Sequence, residues 1–250
     1  MNWQKKERLV EPYSKLAFIY DDVMSHVNYE TWANYVSRII EKWNPGARNL
    51  IDIACGTGSF LNQCRRYSYN LSGFDFSFDS IRMARKKGLE LPFWVGDVRK
   101  FALKKTVDVI VCLYDSINYI MSLEQICEVF SSVYQALNSN GLFIFDICTE
   151  RNSIKYFDNF FDENSGIGYN YTRHSSYDKT NKIHKNLFTI NFHNSDEIYI
   201  EDHRQRIYYI SELLDSIDKT EFEFISAFDD FSFSKASEKS IRVHFVLKKE

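Results

Sequence analysis

Residues 51–58 of this 250-residue chain read Ile-Asp-Ile-Ala-Cys-Gly-Thr-Gly, which places a carboxylate beside two closely spaced glycines. An apolar run precedes the glycines and an amphipathic segment follows them, a pattern that predicts a buried strand, a tight turn and a helix. Gly56 and Gly58 let the backbone approach a ligand closely, because glycine has no side chain. Strand, glycine turn and helix N-terminus in this order favour the binding of a nucleotide-like cofactor.

The glycine turn alone also fits a plain strand–turn–helix in which the glycines serve geometry only. The dinucleotide-binding pattern needs a third glycine, and Leu61 occupies that position here. The argument for a cofactor therefore depends on what the following strands carry.

Four further apolar segments end in an aspartate, at Asp75, Asp97, Asp115 and Asp146. Continuous apolar strands are typical of a parallel sheet that is covered on both faces, and ligands of such sheets bind at the carboxyl ends of the strands. We therefore expect Asp52, Asp75, Asp97 and Asp115 to converge on one rim. Any one of these aspartates could instead cap a helix or stabilise a turn.

This series of motifs resembles the class I S-adenosylmethionine-dependent methyltransferases over roughly residues 13 to 150. The lead-in segment resembles a bacterial small-molecule branch, which includes enzymes that methylate sugar amines and glycine-like amines. Ala54 stands where the broad family often has glycine. Tyr119 stands where we expect a histidine in the sugar-amine enzymes, so their substrate cannot be transferred to this chain. The resemblance is carried by Asp-Ile-Ala-Cys-Gly-Thr-Gly (52–58), Gly-Phe-Asp-Phe-Ser (73–77), Gly-Asp-Val (96–98) and Asp-Ser-Ile-Asn-Tyr (115–119).

The resemblance implies S-adenosylmethionine as the cofactor and a set of residues that bind it. Asp52 would meet the amino group of the cofactor, Asp75 the ribose hydroxyls and Asp97 the adenine amino group. Tyr20 would reach the cofactor carboxylate. The complete implied set is Tyr13, Tyr20, Asp52, Ala54, Cys55, Gly56, Gly58, Asp75, Phe76, Ser77, Met83, Asp97, Val98, Leu113 and Tyr114.

For the acceptor of the methyl group, the residues after the fourth strand and two strand histidines are the candidates. Catalytic roles are assigned to Tyr119, His203 and Tyr20, although a base is needed only if the nucleophile must lose a proton in the transition state. A lone strand histidine is more often structural or solvated than catalytic. The expected acceptor contacts are Asp115, Asn118, Tyr119, His174 and His203.

The alternation of apolar strands and amphipathic helices predicts an α/β fold, a doubly wound Rossmann-like and mostly parallel seven-stranded sheet with an antiparallel β insert. We expect residues 1–150 and 205–250 to form the cofactor-binding domain, with helices in 13–43 as a lid. Residues 151–204 would form the insert over the substrate site, beginning with a short helix and loop from Ile154 to Asn164. A helix capped by Ser211 and an antiparallel hairpin near 221–233 and 241–248 would close the chain.

The composition of the chain restricts the kinds of partner that it can bind. The net charge is −3 and there is no basic block, so we expect no nucleic-acid partner. Five cysteines without a Cys-x-x-Cys pair fit a reducing cytoplasm. No segment is apolar and long enough to span a bilayer or to act as a signal core, and the six histidines are too scattered for a metal site. The sequence does not indicate an oligomeric state.

The sequence therefore predicts an S-adenosylmethionine-dependent enzyme that methylates a small-molecule amine or hydroxyl by in-line displacement. A tRNA or protein methyltransferase and a non-catalytic module that only binds the cofactor are the alternatives, because a fold does not fix a substrate. A nicotinamide dehydrogenase is disfavoured, because it would want the missing third glycine and gives no role to Asp97.

Overall fold

A computed structural model describes residues 5–250, whose backbone forms two β-sheets and the helices around them. The strands are β1 (Lys6–Val10), β2 (Asn49–Asp52), β3 (Asn70–Asp75), β4 (Phe93–Val95), β5 (Val107–Cys112), β6 (Leu137–Cys148), β7 (Phe160–Gly166), β8 (Tyr169–Asp178), β9 (Ile183–Phe192), β10 (Glu197–Arg206), β11 (Phe222–Asp229) and β12 (Arg242–Lys249). The α-helices are α1 (Tyr20–Val23), α2 (Tyr29–Trp43), α3 (Ser59–Cys64), α4 (Phe78–Lys86), α5 (Leu123–Ala136), α6 (Glu150–Asn152) and α7 (Ile210–Ile217). Single 3₁₀ turns cover Leu16–Phe18 and Ser116–Tyr119, and a π-helical turn covers Ser153–Phe157.

The larger sheet has seven strands in the order β11-β12-β6-β5-β2-β3-β4. The five strands from β6 to β4 pair in parallel, whereas β12 pairs antiparallel with both β6 and β11. This is the predicted fold class, and the closing antiparallel hairpin is confirmed. Because the parallel strands run in one direction, their carboxyl ends and the loops that follow them share one edge of the sheet.

Apolar side chains cover both faces of the larger sheet and explain why its strands are apolar throughout. One face packs α5 and α7 against Ile110, Phe143 and Phe245, and the other packs α2, α3 and α4 against Leu50 and Val111. Burial on both faces is the property of a parallel sheet sandwiched by helices.

Local capping signals set most of the helix starts. The side chains of Asn28, Ser77 and Ser122 accept hydrogen bonds from the backbone three residues later, at the starts of α2, α4 and α5. The predicted cap at Ser211 is wrong. The helix α7 begins one residue earlier, and the Glu212 carboxylate accepts from the backbone N–H of Tyr209 at 2.8 Å. A carboxylate at this position also interacts favourably with the helix dipole.

The smaller sheet has five strands in the order β1-β10-β9-β8-β7. Its central strands β8, β9 and β10 form the antiparallel insert that the sequence predicts. Two edge strands differ from expectation. The strand β1 pairs in parallel with β10, and β7 forms where we expected a helix and loop, because only 150–157 is helical there.

The segment of residues 13–24, which we call the strap, crosses between the two sheets. It contains only a 3₁₀ turn and the one-turn helix α1, where we predicted the first of two helices within 13–43. Leu16, Ile19 and Val23 pack against Tyr171 and Ile190 of the smaller sheet. The strap therefore stays in place through contacts with other elements. None of the helices within residues 5–250 is both long and apolar enough to cross a bilayer.

Candidate active site

The glycine turn after β2 adopts a conformation that requires glycine. Gly56 and Gly58 have φ values of +53° and +79°, in the left-handed region. A Cβ atom added to Gly56 would meet no heavy atom within 4 Å, so open space lies beside this residue. Asp75 braces the turn: one carboxylate oxygen accepts from Gly56 N–H and the other from Ser77 N–H, both at 2.8 Å.

A first, narrow cavity lies against this turn, and Asp52 is its buried carboxylate. Asp52 is only 3% exposed and accepts from the backbone N–H of Ala54 at 3.1 Å. Burial, together with the charges of Asp75 and Asp146, raises the pKa of Asp52 to about 7. The cavity is lined by Tyr20, Tyr29, Trp32, Asp52, Ala54, Cys55, Gly56, Thr57, Ser59, Phe60, Leu113, Tyr114 and Ser116.

A second, larger cavity of about 220 Å³ lies between the two sheets. The smaller sheet contributes alternate residues of its inner face, and the strap and the loops at the edge of the larger sheet contribute the rest. Tyr20 and Tyr114 line both cavities, so the two spaces adjoin. The residues around the second cavity include Tyr13, Asp115, Tyr119, Cys148, Phe157, Arg173, His184, Asn186, Phe188, His203, Gln205 and Arg242.

Backbone strain marks the junction of the two cavities. Tyr114 and Asp115, directly after β5, have φ values of +60° and +51°, which are unfavourable for residues with side chains. The backbone N–H of Asp115 donates to a carboxylate oxygen of Asp146 at 2.9 Å, which holds this turn in place. The strain presents both side chains to the cavity.

A buried ionic cluster forms one wall of the second cavity. Arg242 donates to Asp146 and, at 2.8 Å, to Asp115, whose other oxygen accepts from the Gln205 amide at 2.6 Å. Burial raises the pKa of Asp146 to about 6, although the Arg242 charge opposes this shift. Every charged member of the cluster therefore has a partner, as burial demands.

A chain of hydrogen bonds crosses the same cavity from the strap to the smaller sheet. The Tyr13 hydroxyl donates to the Tyr119 hydroxyl at 2.8 Å, and the Tyr119 oxygen lies 3.0 Å from His203 Nδ1. His203 Nε2 lies 2.9 Å from a carboxylate oxygen of Glu201. His203 and Glu201 are 1% and 0% exposed, so this chain is closed to solvent at its sheet end.

The C-terminal end of the strap, at α1, is tied to both sides of the molecule. Asp21 accepts from Thr57, Ser59 and Lys87 at 2.7–2.9 Å, which ties α1 to the helix after the glycine turn. On the other side, Asp22 accepts from the Tyr169 hydroxyl at 2.7 Å. The strap thus bridges the larger sheet and the smaller sheet.

Comparisons with known proteins agree with this geometry. Residues 50–141 match the family model described as a methyltransferase domain. Over 243 residues the chain is 25% identical to the putative methyltransferase YqeM of Bacillus subtilis, covering 95% of this chain and 97% of that protein. Residues 50–141 of the chain therefore carry a methyltransferase domain. This matches the sequence resemblance, and the prediction of an enzyme is confirmed.

A solved structure and a second curated protein are also similar to this chain. A crystal structure of an S-adenosylmethionine-dependent methyltransferase from Clostridium acetobutylicum superposes with a TM-score of 0.79 at 22% identity, covering 95% of this enzyme and 98% of that chain. The dTDP-3-amino-3,4,6-trideoxy-alpha-D-glucopyranose N,N-dimethyltransferase of Streptomyces venezuelae is 26% identical over 117 residues, 47% of this enzyme and 49% of that one.

The structure brings many of the predicted site residues of this methyltransferase together. Of the implied cofactor set, Tyr20, Asp52, Ala54, Cys55, Gly56, Leu113 and Tyr114 line the first cavity. Tyr13, Asp115, Tyr119 and His203 line the second cavity. Gly58 is the N-cap of α3, and the Asp75 carboxylate accepts from the backbone N–H groups of Gly56 and Ser77.

The remaining predicted cofactor residues lie along the outer part of the rim. Phe76 is 73% exposed after β3, and its open ring face is free to cover an adenine. The Asp97 carboxylate forms a bidentate ion pair with Arg99, whose hydrogen bonds lower the pKa of Asp97. Val98 packs against the core, and Met83 lies in the second turn of α4, outside both cavity linings.

Two predicted acceptor contacts do not fit their positions. His174 is exposed on the outer face of β8, against Phe161, because strand residues alternate and its neighbour Arg173 faces the cavity. Asn118 is fully buried, accepting from Cys148 N–H at 3.1 Å and donating to the Arg206 carbonyl at 2.7 Å. These contacts bind the two sheets together and leave Asn118 no access to an acceptor.

Sequence reasoning missed several polar residues in and around the second cavity, among them Glu201, Arg173 and Arg242. Glu201 could have been found, because it alternates with His203 and Gln205 along β10 and therefore shares their face. Arg173 and Arg242 gave no local signal. Arg173 pairs with Asp162 on the neighbouring strand β7. Arg242 pairs with Asp115 and Asp146, which are distant in sequence.

Proposed function

We propose that this enzyme methylates a small-molecule amine or hydroxyl that is bound in the second cavity. The observation that carries the proposal is the junction at Tyr20 and Tyr114, where the space beside the glycine turn opens into a polar, enclosed space between the sheets. A small molecule fits a cavity of about 220 Å³, whereas a folded RNA or protein would need an open surface.

The residues of the first cavity fit S-adenosylmethionine. The turn at Gly56 leaves open space for a ligand to approach the backbone, and Asp52 offers an acceptor oxygen to an ammonium group. Each oxygen of Asp75 accepts only one backbone N–H, which leaves lone pairs for ribose hydroxyls. The bound cofactor supplies an electrophilic methyl group on a positively charged sulfur.

The chain's own task is to align the acceptor and to exclude water. The strap closes the junction with Tyr13 and Tyr20, and the smaller sheet covers the second cavity from the other side. Holding two reactants in line in this way can lower a barrier by about 7–11 kcal/mol. We therefore propose the larger sheet with its helices as the cofactor-binding unit, and the smaller sheet, including β1, as the cover of the acceptor.

The relatives support an amine acceptor in particular. The Streptomyces venezuelae enzyme acts, by its name, on the amino group of a nucleotide-linked sugar. Its similarity spans about half of this chain, so the shared part supports the chemistry of transfer more than the identity of the acceptor.

All five cysteines are free, which supports action in a reducing compartment such as the cytoplasm.

The test is a turnover assay that measures formation of S-adenosylhomocysteine from S-adenosylmethionine. D-glucosamine, ethanolamine and catechol represent small amine and hydroxyl acceptors, and total tRNA and denatured casein represent the macromolecular alternatives. Turnover with a small molecule alone is the expected result. Turnover with tRNA or casein alone would refute a small-molecule acceptor, and binding of the cofactor without any turnover would favour a regulatory module.

A further inference from the structure

Three side chains that line the second cavity, Tyr13, Tyr119 and His203, form a chain of hydrogen bonds that ends at the buried Glu201 carboxylate. The Glu201 carboxylate accepts three backbone N–H groups of the strap, from Tyr13, Lys15 and Leu16, at 2.6–2.9 Å. A carboxylate that receives so many donors acts as an acceptor for His203 Nε2 as well, 2.9 Å away. The His203 proton is thereby fixed on Nε2, which leaves Nδ1 as an acceptor.

The hydroxyl groups of Tyr119 and Tyr13 continue this chain, and each donates its proton towards His203. The Tyr119 hydroxyl lies 3.0 Å from the bare Nδ1 of His203 and donates to it. The Tyr119 oxygen in turn accepts from Tyr13 at 2.8 Å. The Tyr13 oxygen, at the cavity end of this chain, keeps its lone pairs for a donor from the acceptor molecule.

The strap supplies Tyr13, so the chain is complete only when the strap is closed. Tyr13 has a φ of +63°, an unfavourable value for a bulky residue. Its backbone N–H donates to Glu201 at 2.7 Å, and its carbonyl accepts from the Ser77 hydroxyl at 3.2 Å. These two contacts hold the strained residue at the point where both sheets meet.

We propose that Tyr13, Tyr119 and His203 form a relay that takes up the proton which the acceptor loses on methylation, with Glu201 as the positioning residue. The proposal rests on the proposed methyl transfer and narrows its acceptor to a group that carries an N–H or O–H proton. When the strap closes, it covers the cofactor and at the same time brings Tyr13 into the relay. The enzyme can therefore transfer the proton only when the cofactor is covered.

The acceptor nitrogen or oxygen forms a bond to the methyl carbon as the carbon–sulfur bond breaks, and the electron pair of that bond stays on sulfur. The acceptor's proton passes to Tyr13, the Tyr13 proton to Tyr119, and the Tyr119 proton to His203 Nδ1. The resulting imidazolium is stabilised by the Glu201 carboxylate and loses its proton to solvent when the strap opens.

NMR spectra of the full chain with ¹⁵N-labelled histidines and bound S-adenosylhomocysteine test the proposed proton positions and hydrogen bonds without any acceptor. We expect the ring whose signals disappear in His203→Gln to be neutral, with its proton on Nε2 and a hydrogen bond to Nδ1. Tyr119→Phe should shift the Nδ1 resonance towards that of a nitrogen without a hydrogen bond. A proton on Nδ1, a charged ring at neutral pH, or no response to Tyr119→Phe would overturn the relay.

Kinetics with D-glucosamine, ethanolamine and catechol test the function of the relay. Tyr13→Phe, Tyr119→Phe and His203→Gln should each lower kcat by at least about 100-fold, with KM for S-adenosylmethionine and Tm unchanged. Tyr171→Phe, on the same sheet face but outside the relay, should stay within about twofold of wild type. Unchanged kcat in the relay variants would overturn the proposal. A wild type that methylates none of these probes would refute the proposed acceptor class, and the spectra would then decide the relay.

The pH profile of kcat at saturating S-adenosylmethionine, where protonation of Asp52 no longer limits cofactor binding, gives a readout that a structural role would not move. The acid limb of the wild-type profile should disappear in His203→Gln, and Glu201→Gln should lower kcat while reducing the share of the Nε2-protonated ring. An acid limb that persists in His203→Gln would assign the base elsewhere. The titratable and charged groups that face His203 are Tyr13 from the strap, Tyr119 from the loop after β5, Glu201 from β10, and Asp115, Arg173, His184 and Arg242 from the cavity wall.

Discussion

The aspartates of the rim differ in how the chain holds them. Asp52 is buried with one backbone donor, Asp75 accepts from two, and Asp97 is occupied by the guanidinium of Arg99. The three aspartates follow three different strands in the same way, but each lies in a different electrostatic environment. The first two leave acceptor oxygens for a ligand, whereas the third must share its oxygens with an arginine.

Asp75→Asn should weaken binding of S-adenosylmethionine by roughly 10–100-fold, because one oxygen becomes an amide nitrogen that cannot accept from Gly56 or Ser77. Calorimetric titration measures the Kd. The matched control is Asp158→Asn, an exposed aspartate outside both cavities, which should bind like wild type. Equal affinity in Asp75→Asn and wild type would remove Asp75 from the cofactor site.

Asp52 should make cofactor binding pH-dependent. Its pKa is raised to about 7 by burial, so at pH 6 roughly nine-tenths of Asp52 is protonated and cannot pair with an ammonium group. Affinity for S-adenosylmethionine should therefore fall about tenfold between pH 8 and pH 6. The same titrations on Asp52→Asn should give a weak and flat profile. A wild-type Kd that is constant over this range would contradict the assigned role.

At the scale of elements, the strap is the part that links cofactor, acceptor and proton. Its helices are only one turn long, and such short helices are unstable alone. The strap is kept in place by Asp21 and Asp22 at one end and by Glu201 at the other. Local opening of the strap is expected because it has little helix of its own and depends on its contacts with other elements.

Asp21→Asn should loosen the strap, because Asp21 accepts from Thr57, Ser59 and Lys87, and the exposed ion pair with Lys87 is lost. Hydrogen exchange in residues 16–24 should become faster, and S-adenosylhomocysteine should dissociate more rapidly in stopped-flow measurements. Glu11→Gln, an exposed change at the edge of the strap, serves as the control. Exchange rates that match wild type would show that this contact does not hold the strap.

The sequence predicts elements well where the pattern is local. Apolar runs and caps such as Asn28 and Ser122 define strands and helices of the larger sheet. It fails for β1 and β7, because edge strands that face solvent carry polar residues, and their pairing with β10 and β8 depends on distant parts of the chain. The strap likewise has no helical repeat to reveal its turns.

At the scale of the whole molecule, two sheets enclose one reaction space. The cofactor side could be predicted, because carboxyl ends of parallel strands meet at one edge and each aspartate marks such an end. The acceptor side could be predicted only in part. Glu201 and His203 alternate visibly along one strand, but Arg242 reaches Asp115 and Asp146 only through the closing hairpin.

His244 should make global stability sensitive to acid. Its ring is fully buried among Trp32, Tyr35 and Phe231, and neither ring nitrogen has a partner within residues 5–250. Burial and the Arg242 charge lower its pKa to about 3. The folded chain thus stays neutral at this site while the unfolded chain binds a proton, so stability is lost as pH falls below about 6.5.

Urea unfolding of wild type and His244→Phe at pH 7.5 and pH 5 measures this effect. The wild type should lose about 2 kcal/mol more than the variant between the two pH values, which is the free energy of protonating an ordinary histidine in the unfolded chain at pH 5. Parallel losses in both proteins would show that His244 is not held neutral.

The most direct measurement for the whole account is a crystal structure with S-adenosylhomocysteine bound. We predict ribose hydroxyls at Asp75, the amino group at Asp52, and the sulfur at the opening between Tyr20 and Tyr114, directed into the second cavity. A ligand whose sulfur points away from that cavity, or whose ribose lies far from Asp75, would contradict the account.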